Sequence, residues 1–166
     1  MRHRAAPVIA VAVVALLAAA AALAGRTGYA SAPPLAGTDP MTGKHVDIAK
    51  YRGRLVFVNI WASWCAPCRQ EAPALRAFAA AHKKDVVVIG IDTKDSVDGA
   101  RRFYAKYGLS HPSVSDRNGA IAARWWLEGL PTSYYVSPSG KVVGWIIGPG
   151  ELQTFESRLA GAHFAR

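Results

Sequence analysis

Both cysteines of the chain lie in one short motif, Trp64-Cys65-Ala66-Pro67-Cys68. Residues 55–60, just before it, are apolar apart from Asn59 and rich in β-branched side chains, which is typical of a strand buried on both faces. Residues 66–81 are mostly helix formers, with apolar side chains at a helical spacing. The motif is therefore predicted to lie where a buried strand is followed by an amphipathic helix.

The spacing of the two cysteines predicts a redox dithiol. Cys65 would begin the helix, where unpaired N–H groups and the positive end of the helix dipole favour a thiolate. Cys68 lies one turn later, close enough to form a disulfide with Cys65 and to attack a mixed disulfide at its sulfur. Pro67 falls in the first turn, where its missing N–H costs little. We expect Cys65 to be the nucleophile and Cys68 the resolving thiol, with their disulfide as the only redox group.

Three other interpretations of the motif are weaker. A structural disulfide across so short a loop contributes only about 2 kcal/mol in the chain-entropy model. A zinc site needs two more ligands, and the chain has no third cysteine and no histidine pair at a suitable spacing. Haem attachment requires a histidine directly after Cys68, where this chain has Arg69. The first two stay open as alternatives, and the third is excluded.

This region resembles the thioredoxin superfamily, and more closely the membrane-anchored TlpA/ResA/DsbE-like (CcmG-like) thiol-disulfide oxidoreductases. The resemblance rests on the Trp-Cys-x-Pro-Cys motif, on Glu71 and Pro73 after it, and on the later Leu130-Pro131-Thr132. It covers about residues 35–160. It implies an α/β, thioredoxin-like fold in which helices flank a mixed central sheet, with an N-terminal β-hairpin and an inserted helix and strand.

Hydrophobic patterning extends this fold along the chain. Strands are predicted at residues 85–91, 111–116, 130–136 and 141–147, and helices at 99–107, 121–127 and 151–164. A short strand within residues 41–48, after a turn at Thr42-Gly43, would belong to the hairpin. Trp125 and Trp126 are expected to cover the core, and a wall of the substrate groove is the alternative for either.

The resemblance also implies how a substrate is bound. In thioredoxin-like proteins the proline equivalent to Pro131 is cis and faces the cysteines, although a trans bond is the usual default. Leu130, Pro131 and Thr132 are therefore expected to present backbone to an extended substrate segment, which could pair with it as an added strand. Trp64 is the expected substrate contact on the side of the dithiol.

Glu71 is the predicted proton relay. It lies three residues after Cys68, so on a helix both side chains share the face turned to the interior. Burial would raise the pKa of Glu71, and the acid could take the proton that Cys68 loses before it attacks. A glutamate at this place is functional in ResA-like proteins, whereas the buried aspartate of thioredoxins corresponds to Asn59, an amide that cannot take up a proton. Trp61 and Pro67 are further supporting residues. The alternative for Glu71 is an exposed glutamate on a charged helix.

The N-terminal segment has the pattern of an export signal. Arg2 and Arg4 precede an uncharged run of small and aliphatic residues at 5–24, which predicts a cytoplasmic N-terminus and a domain outside the membrane. A run of this length is about enough to span the ~30 Å hydrocarbon core, but Ala22-Leu23-Ala24 also fits a cleavage site. We therefore expect a signal anchor or signal peptide at residues 1–26, a Gly- and Pro-rich linker at 27–37, and one domain at 38–166.

Charge limits the partners of this domain. The chain has 20 basic and 11 acidic residues, a net charge of +9. The basic residues are scattered without aromatic interleaving, so no nucleic-acid partner is expected. The Ala66-Pro67 pair between the cysteines carries no cation that would stabilise the thiolate of a strong oxidant, which favours a reductant.

These observations predict an extracytoplasmic thiol-disulfide oxidoreductase that reduces disulfides in protein substrates. The resemblance implies that the substrates include apocytochrome c before haem attachment, and that a transmembrane thiol carrier donates the electrons. Two alternatives remain open. The same fold could serve an oxidase that forms disulfides in secreted proteins, or a non-redox module that binds apocytochrome or haem.

Overall fold

The computed structural model describes residues 30–163, and the predicted signal segment lies outside this range. Within it, no helix combines the length and the apolar character needed to cross a membrane. Residues 30–163 contain seven strands: β1 (Ala36–Thr38), β2 (His45–Asp47), β3 (Leu55–Trp61), β4 (Val86–Thr93), β5 (Ser113–Asp116), β6 (Thr132–Val136) and β7 (Val142–Ile147).

Strands β1 and β2 form the predicted N-terminal hairpin, and the other five form one mixed sheet in the order β5-β4-β3-β6-β7. Strands β3, β4 and β5 are parallel, whereas β6 and β7 run antiparallel to their neighbours. Every residue of β3 is buried, as its largely apolar run predicts for a central strand. Ile60 is paired with Thr132, so the segment before β6 lies beside the end of β3, where the cysteine motif begins.

In the described part of the chain, four α-helices accompany the sheet: α1 (Ala66–Ala81), α2 (Val97–Tyr107), α3 (Ala120–Arg124) and α4 (Leu152–His163). A short 3-10 helix at Ile48–Tyr51 leads into β3. Helix α2 and strand β5 are the predicted insertion, and they extend the parallel side of the sheet. The predicted helix at 121–127 ends early, at Arg124, because Trp126 has a φ of +51°, which no right-handed helix can continue.

Alternate residues of β3 point to opposite faces of the sheet. Phe57 packs with Phe78 of α1 and Phe155 of α4, and Trp61 stacks on Phe103 of α2. These three helices therefore cover one face. The other face carries the even-numbered residues of β3, among them Val58. These residues pack with the β1–β2 hairpin, with α3 and with Trp125.

Two predictions need correction here. The linker at 27–37 is too long, because Leu35 is buried in the core and the backbone of Ala30 and Ala32 bonds to the β6–β7 hairpin. The ordered domain therefore begins no later than residue 30. Trp125 is fully buried as expected, but Trp126 is 51% exposed and does not cover the core.

Candidate active site

The two cysteines form a disulfide at the start of α1. Cys65 is the N-cap residue of the helix, and its sulfur accepts a hydrogen bond of 3.1 Å from the backbone N–H of Cys68. Pro67 occupies the first turn, as predicted. The dipole of a 16-residue helix therefore points its positive end at the Cys65 sulfur.

The two sulfurs belong to different environments. Cys65 lines an open groove of about 570 Å³ on the surface. Both cysteines are buried, with 4% of Cys65 and 1% of Cys68 exposed, but Cys68 lines an internal void behind the motif, which has no room for a water molecule. The groove therefore gives access to Cys65, whereas Cys68 faces the interior of the domain.

The groove beside Cys65 is mostly apolar, and it collects several of the predicted substrate residues. Trp64, Pro67 and Leu130 line it, together with Lys94 from the loop after β4. The indole of Trp64 is 56% exposed, and its Nε1 donates a hydrogen bond of 3.0 Å to the carbonyl of Lys94. This bond holds Trp64 at the rim, where its exposed face can contact a polypeptide.

The Leu130–Pro131 peptide bond is cis, as the resemblance implies. Thr132 does not fit its predicted role of presenting backbone to a substrate. It is buried between Ile60 and Ile147, and its hydroxyl donates to the carbonyl of Gly129. Thr132 therefore fixes the loop from within the sheet. Leu130 is the residue of this segment that lines the groove.

Glu71 lies on the inner face of α1, and only 3% of it is exposed. Its Oε1 accepts a hydrogen bond of 2.8 Å from Asn59, and its Oε2 accepts one of 3.0 Å from the backbone N–H of Gly150. Burial raises the pKa of Glu71 to about 7, although both hydrogen bonds act in the opposite direction. Glu71 and Cys68 line the same internal void. An acid that titrates near neutrality thus lies behind the resolving cysteine.

Asn59 and Trp61 support this arrangement from β3. The amide nitrogen of Asn59 donates to both Glu71 and Ser133, so the residue that replaces the aspartate of thioredoxins orients the glutamate. Trp61 also lines the void, and its Nε1 donates a hydrogen bond of 3.2 Å to the hydroxyl of Ser113.

Sequence reasoning missed the part played by the loop after β4. The carboxylate of Asp95 accepts hydrogen bonds from the backbone N–H and the hydroxyl of Ser63 and from the backbone N–H of Ser96. It thereby ties this loop to the residue before Trp64. The available signal was the acidic run directly after a buried parallel strand, because the carboxyl ends of β3 and β4 meet at one edge of the sheet.

Two buried titratable residues near the site were also missed. Asp92 is the last residue but one of β4, and burial, followed by the charges of Asp95 and Asp116, raises its pKa to about 8. His111 lines the void that contains Cys68 and Glu71, and burial lowers its pKa to about 4. At neutral pH, Asp92 is therefore largely protonated and His111 is uncharged.

The sheet order, the cis-proline loop and a disulfide at the helix start together define a thioredoxin-like thiol-disulfide oxidoreductase. Residues 30–144 match the AhpC/TSA family, and the chain belongs to this family. Thiol-disulfide oxidoreductase ResA of Bacillus thuringiensis (strain Al Hakam) is 33% identical over 129 residues, which are 77% of this chain and 74% of the relative.

Two further proteins with names of this class are similar to the chain. Thiol:disulfide interchange protein CycY of Rhizobium leguminosarum bv. viciae is 37% identical over 102 residues, which cover 61% of this chain and 54% of the relative. The crystal structure of a secreted Mycobacterium tuberculosis disulfide oxidoreductase homologous to E. coli DsbE superposes with a TM-score of 0.69 at 26% identity, covering 76% of this chain and 94% of that one. Both names describe exchange at a disulfide.

Proposed function

We propose that this oxidoreductase works as a reductase of protein disulfides outside the cytoplasm, tethered to the membrane by its N-terminal segment. One observation carries the direction of electron flow. Glu71 is buried behind Cys68, and Ala66 and Pro67 place no cation between the sulfurs. Because a dithiol becomes a strong oxidant when its reduced form is stabilised, a site in which the helix N-terminus supports the thiolate but the intervening dipeptide adds no cation favours a reductant.

The proposed reaction has two exchange steps. The Cys65 thiolate attacks one sulfur of a substrate disulfide, which forms a mixed disulfide and releases the first substrate thiolate. Cys68 then passes its proton to the Glu71 carboxylate and attacks the Cys65 sulfur, which releases the second substrate thiolate. Two electrons pass to the substrate, and the Cys65–Cys68 disulfide remains. An external dithiol must reduce this disulfide before the next cycle.

The proposed location rests on the predicted signal segment at residues 1–26, and the similar Mycobacterium tuberculosis protein is described as secreted. Outside the cytoplasm, the electrons must cross the membrane, so a transmembrane thiol carrier is the proposed donor. A blot of membrane and soluble fractions for the intact N-terminus tests the tether. Recovery of only soluble protein that starts near residue 25 would contradict it.

Apocytochrome c is the proposed substrate, on the ground of the resemblance to ResA-like proteins. Its haem-binding motif, Cys-x-x-Cys-His, holds two cysteines that must be reduced before haem is attached. The test compares the rates at which the reduced protein reduces the disulfide of a Cys-x-x-Cys-His peptide and that of oxidised glutathione. Equal rate constants would argue against a dedicated apocytochrome substrate.

The reduction potential of Cys65/Cys68 is the first measurement, by equilibration with a glutathione or dithiothreitol series. A value at or below about −220 mV, toward the thioredoxin end of the scale, supports the reductase. A value near the ~−120 mV of DsbA would favour the alternative function, an oxidase that forms disulfides in secreted proteins.

Single cysteine variants separate both redox functions from a binding module. Cys65→Ser should abolish exchange, and Cys68→Ser should accumulate the mixed disulfide between Cys65 and the substrate. A module that only binds apocytochrome or haem would keep its function in both variants.

A further inference from the structure

An apolar groove lies on the sheet face at the outer strand β7, away from the dithiol. This aromatic groove has a volume of about 460 Å³, and its main lining residues are Trp126, Tyr134, Val142, Trp145 and Ile147. Among residues 30–163, four large hydrophobic side chains are exposed, and three of them line this groove: Trp126 at 51%, Trp145 at 55% and Ile147 at 53%. So concentrated an apolar surface indicates an interaction site.

The groove lies where the N-terminal segment joins the domain. Ala30 lines it, and the carbonyl of Ala30 accepts a hydrogen bond of 2.9 Å from the backbone N–H of Val142. Only residues 25–29 separate Ala30 from the apolar run that ends at Ala24. Five residues span at most roughly 20 Å when fully extended. If the apolar run is embedded in a membrane, the groove cannot be far from the membrane surface.

The composition of the groove suits the membrane–water interface. Tryptophan and tyrosine are the residues enriched at this level of a bilayer, because their rings are amphipathic. The Tyr134 hydroxyl bonds to the carbonyl of Trp125, so the ring is fixed, whereas the indoles of Trp126 and Trp145 are half exposed. Rings of this kind can enter the headgroup region without unfolding any part of the domain.

The charges around the groove also favour a lipid surface. Lys141 is exposed next to Val142, and the guanidinium of Arg52 lies against the turn at Gly140, beside the incoming N-terminal segment. Glu128 is the acidic side chain that lines the groove. Basic side chains near the point of attachment are attracted to anionic headgroups, with a free energy of about 1 kcal/mol for each cation close to the surface.

We propose that the aromatic groove docks the domain on the lipid headgroups of the membrane in which its own N-terminal segment is anchored. This inference rests on the proposed tether and adds an orientation to it. The loop 126–130 separates the two grooves, because Trp126 and Glu128 line the aromatic groove and Leu127 and Leu130 line the groove at Cys65. Docking therefore holds the dithiol close to the membrane surface, where a transmembrane thiol donor would reach it.

Tryptophan fluorescence of the full chain in nanodiscs tests the proposal. All five tryptophans lie in the domain and none lies in residues 1–29, so the anchor itself contributes no tryptophan signal. The nanodiscs contain three parts of phosphatidylcholine to one of phosphatidylglycerol, with or without bromine near the headgroup end of the acyl chains. Bromine should quench the wild-type emission, and Trp126→Phe with Trp145→Phe should reduce the quenched amplitude by more than about threefold, since the interfacial rings are then gone.

Trp64→Phe is the matched control, because Trp64 is equally exposed but lines the other groove. It should keep most of the quenching. Protein that is incorporated into nanodiscs but shows no quenching from Trp126 and Trp145 would overturn the docking and leave the reductase and its tether intact. Protein that does not incorporate would refute the tether and the docking together.

Two further outcomes count against a lipid surface. If acrylamide fails to quench Trp126 and Trp145 even without lipid, and the protection depends on protein concentration, a second copy occupies the groove. If protection requires an added disulfide substrate, the groove extends the substrate site. In the variants at Trp126 and Trp145, exchange of Cys65/Cys68 with glutathione in the same nanodiscs shows that the domain is folded. Circular dichroism does so for Trp64→Phe, because Trp64 lines the groove at Cys65.

Discussion

The side-chain amide of Asn59 donates a hydrogen bond of 2.8 Å to the carboxylate of Glu71, behind the resolving cysteine. The same amide group donates to Ser133, which fixes its orientation. An aspartate at residue 59 would place a second acid beside Glu71, and like charges at this distance raise the pKa of one partner. The amide therefore leaves Glu71 as the single acid of this pair, and in the proposed reaction it is the group that exchanges a proton with Cys68.

Replacing Glu71 by glutamine should slow the resolving step. The carboxylate takes up the Cys68 proton only when ionised, so the wild-type rate should rise with pH through about 7, the raised pKa of Glu71. Glu71→Gln should lower the rate near neutral pH by roughly 100-fold and remove this inflection, since a general base is lost. Stopped-flow release of the second substrate thiol measures the step. Glu151→Gln, at an exposed acid, is the control and should change neither the rate near neutral pH nor the inflection. An inflection that survives in Glu71→Gln would refute the proton relay.

Alanine at Gly150 should destabilise the fold and disturb Glu71. A Cβ at this residue would overlap the fully buried ring of Phe155, so the ring or the backbone has to move. We expect a loss of about 1–3 kcal/mol in the free energy of unfolding, as for other overpacked sites. Movement of the backbone would also weaken the N–H bond to Glu71, which raises its pKa above 7. Gly161→Ala, with no atom near its Cβ, is the control in urea unfolding and should be neutral or stabilising.

The pH dependence of stability should reflect Asp92. Its pKa is raised from 3.8 to about 8, so the folded state binds its proton more tightly than the unfolded state does. The free energy of unfolding should therefore fall as pH rises from about 4 to about 8. Asp92→Asn removes this loss and should gain at least about 1 kcal/mol on wild type between pH 5 and pH 9, because each tenfold difference in proton affinity corresponds to about 1.4 kcal/mol.

Urea unfolding of the oxidised protein at both pH values measures this difference. Asp85→Asn, at an exposed aspartate, should change stability equally at the two values. Glu71 is still present in the Asp92 variant, so a smaller slope up to about pH 7 should remain. Parallel pH profiles of wild type and Asp92→Asn would contradict the raised pKa.

His111 should have the opposite effect on stability to Asp92, because it should lower the free energy of unfolding as the solution becomes acidic. Burial lowers its pKa from 6.5 to about 4, so the unfolded state binds the proton more readily and stability is lost as pH falls from about 6.5 to about 4. His111→Phe, which keeps an aromatic ring beside Tyr104, should gain stability at pH 5 relative to pH 8. His45→Phe, at an exposed residue of β2, is the control in thermal melts. A gain in stability that is equal at pH 5 and pH 8 would arise from packing alone and would contradict the lowered pKa of His111.

Removing the carboxylate of Asp95 should loosen the cysteine motif. Asp95→Ala leaves the backbone N–H and hydroxyl of Ser63 without this acceptor, at a cost of about 1–3 kcal/mol. Hydrogen exchange at Ser63 should accelerate by at least about tenfold, the equivalent of 1.4 kcal/mol. Asp98→Ala, at an exposed acid in the first turn of α2, should leave exchange at Ser63 unchanged. Unchanged exchange in Asp95→Ala would show that the loop after β4 does not hold the motif.

Much of this protein follows from local sequence. The helix predicted at residues 66–81 has those bounds in the structure, because a cap residue, a proline in the first turn and an apolar stripe lie within one segment. The apolar runs of β3 and β4, the Cys65–Cys68 pair and the position of Glu71 one turn after Cys68 on the same helix follow from the same short-range patterns. Each depends on neighbours within a few residues along the chain.

Only the tertiary structure decided which distant groups meet. The bond from Gly150 to Glu71 joins residues 79 apart, and Asp95 reaches Ser63 across 32 residues. The raised pKa values of Glu71 and Asp92 arise from burial that packing creates. Proline-rich composition before β1 predicted a linker, yet burial of Leu35 draws this segment into the domain. Propensity and periodicity act over one or two turns of chain, whereas contacts and desolvation depend on how strands and helices pack together.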